Sequence, residues 1–158
     1  MIEIALKTQP ELVTLVPESR EELTTEGGLN MKNLHQHYQK VVIPAFKNTG
    51  IDISLFVDPV KEDIQITADL GCQAIELHTG SFANATDEAS IIRELDRLAE
   101  GAELAHSLGL KVNAGHGLNF ENMEAFIQAV PHLADISVGH ALITDALFRG
   151  LENSVRAM

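Results

Sequence analysis

Gly109-Leu110-Lys111-Val112-Asn113-Ala114-Gly115-His116-Gly117 is the stretch on which the fold turns. Gly109 stands where a helix-ending glycine is expected. Lys111-Val112-Asn113-Ala114 reads as a short buried strand, and Gly115-His116-Gly117 as the loop after it. Flanking glycines let the backbone approach a ligand closely and take positive φ, and an imidazole exchanges protons near neutral pH. His116 is therefore expected to be an active-site residue at the carboxyl end of a parallel strand.

The same pattern recurs on both sides of this stretch. Leu12-Val13-Thr14-Leu15-Val16, Ile53-Ser54-Leu55-Phe56-Val57, Ala74-Ile75-Glu76-Leu77-His78 and Asp135-Ile136-Ser137-Val138 also read as strands. Runs this apolar suit parallel strands covered on both faces. Helical signals separate them. Asp58-Pro59 reads as an N-cap followed by proline at the first helical position. Ile91, Leu95, Leu98, Ala102 and Ala105 make one apolar helix face, and Asn119 is placed to cap the helix carrying Met123, Phe126 and Ile127. Gly71 and Gly109 each precede a strand, and Pro44 should kink or end a helical stretch from about Met31 to Lys47. Five strand-helix units behind a partial helix imply a parallel sheet with right-handed crossovers. An open doubly wound sheet and a closed (β/α)₈ barrel compete. The absence of Gly-x-Gly-x-x-Gly weakens the dinucleotide-binding alternative.

Composition narrows the function. The chain has 158 residues, enough for one domain, and is 45% apolar and 22% charged. Its formal net charge of −12 opposes a polyanion, so no nucleic-acid partner is expected. A small phosphorylated substrate is compatible with that charge, because backbone N–H groups can hold a phosphate locally. No apolar run reaches the roughly 18 residues of a membrane span, and Met1-Ile2-Glu3-Ile4 lacks the features of a signal peptide. A single cysteine, Cys72, allows neither an internal disulfide nor a thiolate cluster. A cytoplasmic protein without a membrane partner is the expectation.

In parallel α/β folds ligands bind at the carboxyl ends of strands. The loop after the first strand, from Pro17 to Gly28, is long and polar, with Thr24 or Thr25 as hydroxyl donors. Glu76 and His78, two residues apart, share one face of the third strand. They suit either a shared proton or a buried ion pair. After the fifth strand, Gly139-His140-Ala141 runs straight into a helix whose free N–H groups make an anion site. In (β/α)₈ barrels the common phosphate site follows the last two strands. The two Gly-His loops lie on the last two strands here, which favours the barrel. His35, His37, His106 and His132 read as surface residues, and no His-Glu-x-x-His spacing marks a metal site.

Taken together, Val16-Pro17-Glu18, Thr24-Thr25-Glu26-Gly27-Gly28-Leu29, Ile75-Glu76-Leu77-His78-Thr79-Gly80, Gly109 to Leu118 and Gly139-His140-Ala141 resemble the pyridoxine 5′-phosphate synthase family, in order and across essentially the whole chain. The resemblance implies a (β/α)₈ TIM barrel. It also implies an enzyme that condenses 1-deoxy-D-xylulose 5-phosphate with 3-amino-2-oxopropyl phosphate, giving pyridoxine 5′-phosphate, inorganic phosphate and water. Imine formation, dehydration and phosphate loss need proton transfers, and no metal or organic cofactor is implied. By position, His116 corresponds to the family's proton donor and Glu76 to a carboxylate that assists the transition state. Gly117 corresponds to a contact with the amino-ketone phosphate, Gly139 and His140 to the phosphate-binding turn, and Thr24 to a contact with the deoxyxylulose phosphate. A homo-oligomer is implied as well.

The resemblance covers the family's strands 4 to 8 with their helices. Its first three βα units, with an Asn-x-Asp-His motif, substrate-binding arginines and a Leu-Glu-Met-Ala stretch, have no counterpart in these residues. One partial barrel domain spanning 1–158 is thus expected, truncated to about five parallel strands with covering helices. Five strands cannot close an eight-strand barrel, so these residues alone are expected to be inactive. Another sugar-phosphate barrel enzyme, an epimerase or aldolase, would want a Schiff-base lysine at a strand end, but Lys111 begins its strand. A non-catalytic phosphate-binding remnant is the second alternative.

Overall fold

The computed structural model describes residues 2–17 and 27–158. Helix α1 (Ile2–Thr8) leads into strand β1 (Leu12–Leu15). Then come α2 (Met31–His37), a π-helical segment (Tyr38–Val42) and α3 (Ile43–Ala45). The remaining order is β2 (Asp52–Val57), α4 (Lys61–Asp69), β3 (Ala74–His78), α5 (Gly80–Ala83) and α6 (Glu88–Ser107). Last are β4 (Lys111–Gly115), α7 (Met123–Ala129), β5 (Leu133–Ser137), α8 (His140–Arg149) and α9 (Leu151–Ala157). All five expected strands form, within one or two residues of their expected ends.

The strands make one parallel sheet in the order β1-β2-β3-β4-β5. This order decides between the two architectures. A doubly wound sheet reverses its strand order at a switch point, whereas here each unit adds to the same side, as in a TIM barrel. The barrel is not closed. Among the described residues β1 pairs only with β2, and β5 only with β4.

The register sorts the side chains into two faces. Ile53, Leu55, Val57, Ile75, Leu77, Val112 and Ala114 face the helices and are buried in one core with Ile64, Leu98, Ala102, Ala105 and Phe126. The apolar face foreseen for α6 forms, with Ile91 and Leu95 at its edge. The opposite face carries Thr14, Ser54, Phe56, Glu76, His78, Asn113, Gly115 and Ser137. A face this polar is suited to chemistry rather than to packing.

Three local expectations need correction. Asp58 does not cap α4, which starts at Lys61 behind Val60; its carboxylate is taken by His78 and Gly28 instead. Asn119 does not cap α7 either. The cap position is Asn122, and the Asn119 carboxamide accepts the N–H groups of Glu121 and Asn122 in a turn ahead of the helix. The stretch around Pro44 stays helical but widens to π geometry over Tyr38–Val42, where Ile43 N–H bonds to Tyr38. Proline has no N–H and its ring crowds the carbonyl four residues back, so a widened turn just before it relieves the clash. Gly71 and Gly109 end their helices in left-handed conformations, as expected. Among the described residues no helix is long and apolar enough to cross a membrane.

Candidate active site

The polar rim of the sheet gathers side chains from the ends of β2, β3, β4 and β5. On β4 the backbone turns sharply. His116 and Gly117 have φ of 91° and 76°. Glycine adopts this region freely, but histidine does so at a cost of roughly 1–2 kcal/mol. The conformation is held from β3: the Thr79 hydroxyl bridges the carbonyls of Gly115 (2.8 Å) and His116 (2.5 Å), and Thr79 N–H also donates to Gly115 at 3.0 Å. Positive φ at glycine flanks was anticipated; its falling on the histidine itself was not.

The loop lets His116 face both neighbours. Its ring centroid lies 5.0 Å from that of His78 and 6.5 Å from Phe56. On the other side, a cleft of about 720 Å³ opens between His116, Gly117 and Asn119 and the residues Ser137, Gly139 and His140. Gly139 sits at the N-cap of α8 and His140 begins the helix. The two Gly-His loops singled out in the sequence therefore share one cleft. Burial, then the nearby His78 and His140, hold His116 below the ordinary histidine value, which favours its neutral form.

Glu76 and His78 share a face but not a proton. His78 is 5% exposed, and its Nδ1 lies 2.7 Å from Asp58 Oδ1. This bond in turn holds the Asp58 carboxyl below its usual range. Glu76 leans the other way, toward the hydroxyls of Ser137 and Thr14. It passes Gly115, where a Cβ would meet Glu76 Oε1 at 2.7 Å and Ser137 Cβ at 2.9 Å. Glycine at 115 is what lets the carboxylate reach β5. Burial raises the Glu76 carboxyl above its ordinary value of 4.5, opposed in part by the two hydroxyls.

That shift has a sign that can be checked. The folded chain holds the Glu76 proton more tightly than the unfolded chain. The stability it contributes is complete below the unfolded value and is lost as pH rises through the folded value. Glu76→Gln removes this slope. Thermal unfolding of both proteins between pH 4 and pH 8 is expected to show the variant gaining on the parent as pH rises. A pH-independent difference would contradict the account.

Thr24 and Thr25 lie outside the described residues. Gly28, at the far end of their loop, is fixed against the rim. Its N–H donates to Asp58 Oδ2 at 3.2 Å, and a Cβ there would sit 2.1 Å from the Asp58 backbone nitrogen. The sequence reading missed Asp58, Phe56 and Thr79. For Asp58 the signal was available: it follows the carboxyl end of β2, as His116 follows β4. Cys72 takes no part; burial pushes its thiol up to about 12, where it is no nucleophile.

Comparison with known proteins supplies the context. The sequence profile described as "Pyridoxal phosphate biosynthesis protein PdxJ" matches residues 1–158. The pyridoxine 5′-phosphate synthase of Akkermansia muciniphila is 44% identical over 158 residues, and the match covers all of this chain and 63% of that protein. The enzyme of the same name from Aliivibrio fischeri is 47% identical, with 100% and 64% covered. That from Chlorobium chlorochromatii is 48% identical, with 98% and 65% covered. The chain thus spans a little under two thirds of the length of these relatives. Among solved structures, the tryptophan synthase A-subunit from Pyrococcus furiosus superposes with a TM-score of 0.58 at 14% identity, over 99% of this chain and 56% of that one. A xylose isomerase domain protein from Planctomyces limnophilus gives 0.56 at 14%, over 100% and 66%. At such identities the likeness concerns the fold alone.

Proposed function

The chain belongs to the PdxJ family of pyridoxal phosphate biosynthesis proteins, and from that premise we propose that it furnishes the proton donor and one phosphate site of a pyridoxine 5′-phosphate synthase. The substrates in this reading are 1-deoxy-D-xylulose 5-phosphate and 3-amino-2-oxopropyl phosphate. The observation that carries it is the shared cleft of His116, Gly117, Gly139 and His140. The start of α8 offers unpaired N–H groups and the positive end of a helix dipole to a phosphate, and His140 adds an imidazole. His116, one side of the same cleft, takes up a proton from solvent and, as imidazolium, gives it to a leaving hydroxyl, which departs as water. Glu76, partly desolvated, stabilises positive charge that develops beside it. Thr24 belongs to the same proposal as a contact to the second substrate.

The domain reading is likewise a proposal: the five strands correspond to the family's strands 4 to 8. The open edges of β1 and β5 support it, and so do the exposed strand residues Ala134, Asp135 and Ser137. Assembly into a homo-oligomer is part of the proposal too. The apolar side chains that α8 leaves in solvent, Phe148 at 87% exposure and Leu147 at 79%, support it.

Titration with inorganic phosphate and with 3-amino-2-oxopropyl phosphate, followed by amide NMR, tests the site. The amides of Gly117, Gly139 and His140 are expected to move together and saturably, and to move still in His116→Ala. Binding elsewhere, or none at millimolar ligand, would remove the phosphate assignment.

A further inference from the structure

Asp58 ties two parts of the rim together behind His116. One carboxylate oxygen meets His78 Nδ1 at 2.7 Å, and the other accepts the Gly28 N–H at 3.2 Å. A carboxylate on Nδ1 fixes a proton there and selects the tautomer in which Nε2 carries none. That nitrogen is buried and has no hydrogen-bond partner among the described residues, so a proton on it would be a buried donor with nothing to bind. Gly80 packs against it. A Cβ at Gly80 would lie 2.4 Å from His78 Nε2 and 3.0 Å from His116 Cδ2. The missing side chain is thus what allows the two imidazoles to approach to 5.0 Å. Phe56 closes the third side, 5.1 Å from the His78 ring. Rigid elements back the anchor: Pro59, the next residue, packs under α6, with its Cβ 3.2 Å from where a side chain at Gly101 would begin.

We propose that Asp58 and His78 form a positioning pair for His116. The carboxylate locks the His78 ring, and the locked ring together with Phe56 makes the wall that holds the His116 imidazole toward the cleft. The same carboxylate holds the Gly28 N–H, so one side chain ties β3 to the residues just ahead of α2. Neither residue needs to touch substrate. Other charged or titratable groups here are Arg97 from α6, which acts on Asp58, Asp63 from α4, whose carboxyl Asp58 raises, and His140 from α8, which acts on His116. The inference rests on the reading of His116 as the acid–base group, but its test requires no turnover. A failure of the positioning pair and a failure of the proposed reaction are therefore distinguishable.

The test is long-range proton–nitrogen NMR of the histidine rings in the 158-residue chain, on the parent, Asp58→Ala and His78→Gln. In the parent, His78 is expected as the Nδ1–H tautomer at neutral pH. In Asp58→Ala that single tautomer is lost, and both the Gly28 amide and the His116 ring signals shift. His78→Gln keeps a donor for Asp58 but has no ring; the Gly28 amide stays in place, while the His116 titration midpoint rises because the smaller side chain leaves that imidazole less buried. A merely structural pair would change stability in both variants and leave the His116 titration where it was. The proposal is overturned if parent His78 carries its proton on Nε2, or if the His116 midpoint does not move in His78→Gln. Should Asp58→Ala fail to fold, those two measurements still decide.

Discussion

Asparagine in place of His116 is expected to lower formation of pyridoxine 5′-phosphate by about 10²–10⁴-fold, the usual contribution of a positioned general acid. Asparagine is the informative replacement because of the backbone. At a φ of 91° most side chains add strain, whereas asparagine tolerates the left-handed region better than most. The carbonyl bridge from Thr79 does not depend on the side chain, so the loop should keep its shape. Asparagine retains a hydrogen-bonding group but cannot exchange a proton near neutral pH. Loss of rate with phosphate binding intact is thus the expected signature. The assay uses a hybrid in which the part of a longer relative not matched by these 158 residues is joined to them, so that the barrel can close. A rate within about threefold of the parent hybrid would remove His116 from the chemistry.

Phe126→Ala is expected to cost about 3–5 kcal/mol of folding stability. Phe126 is fully buried, and its ring lies 6.0 Å from that of Phe82. It joins α7 to α5, the short helix that begins at Gly80 beside the two imidazoles. Removing the ring leaves a cavity that the strands and α6 can fill only in part. Small domains unfold in urea with slopes of about 1–3 kcal/mol per molar, so the midpoint should fall by about 1 M or more. A loss under about 1 kcal/mol would mean that this part of the core is loosely packed. The signals of Gly80 and His116 should broaden before the protein unfolds, because Phe82 follows Gly80 by two residues.

The sequence made the strands and the two Gly-His loops legible for a physical reason. Short β-branched runs and terminal glycines are local signals, and each strand end is where ligands bind in this class of fold. Strand order was not legible in the same way. Alternating units by themselves fit an open or a closed sheet equally; the Gly-His loops favour the barrel, and the uniform order from β1 to β5 decides it. Asp58 shows the opposite limit. In its local setting Asp-Pro is a helix cap, but the Asp58 carboxylate is taken instead by His78, twenty residues on, and by the Gly28 N–H, partners that no local signal reveals. Glu76 and His78 were correctly put on one face, yet proximity along a strand said nothing about partners. Glu76 reaches toward β5 and β1, and His78 toward β2. The widened helix before Pro44 was also out of reach, since a kink, a stop and a π turn all answer the same missing N–H.

The most direct test of the central claim is product formation from 1-deoxy-D-xylulose 5-phosphate and 3-amino-2-oxopropyl phosphate, measured for the 158-residue chain and for the hybrid at equal concentration. The account predicts pyridoxine 5′-phosphate from the hybrid and none above background from the 158 residues alone, with both expected to bind phosphate through Gly117, Gly139 and His140. A folded hybrid that binds phosphate there and makes no product would contradict it, and so would equal rates from the two proteins.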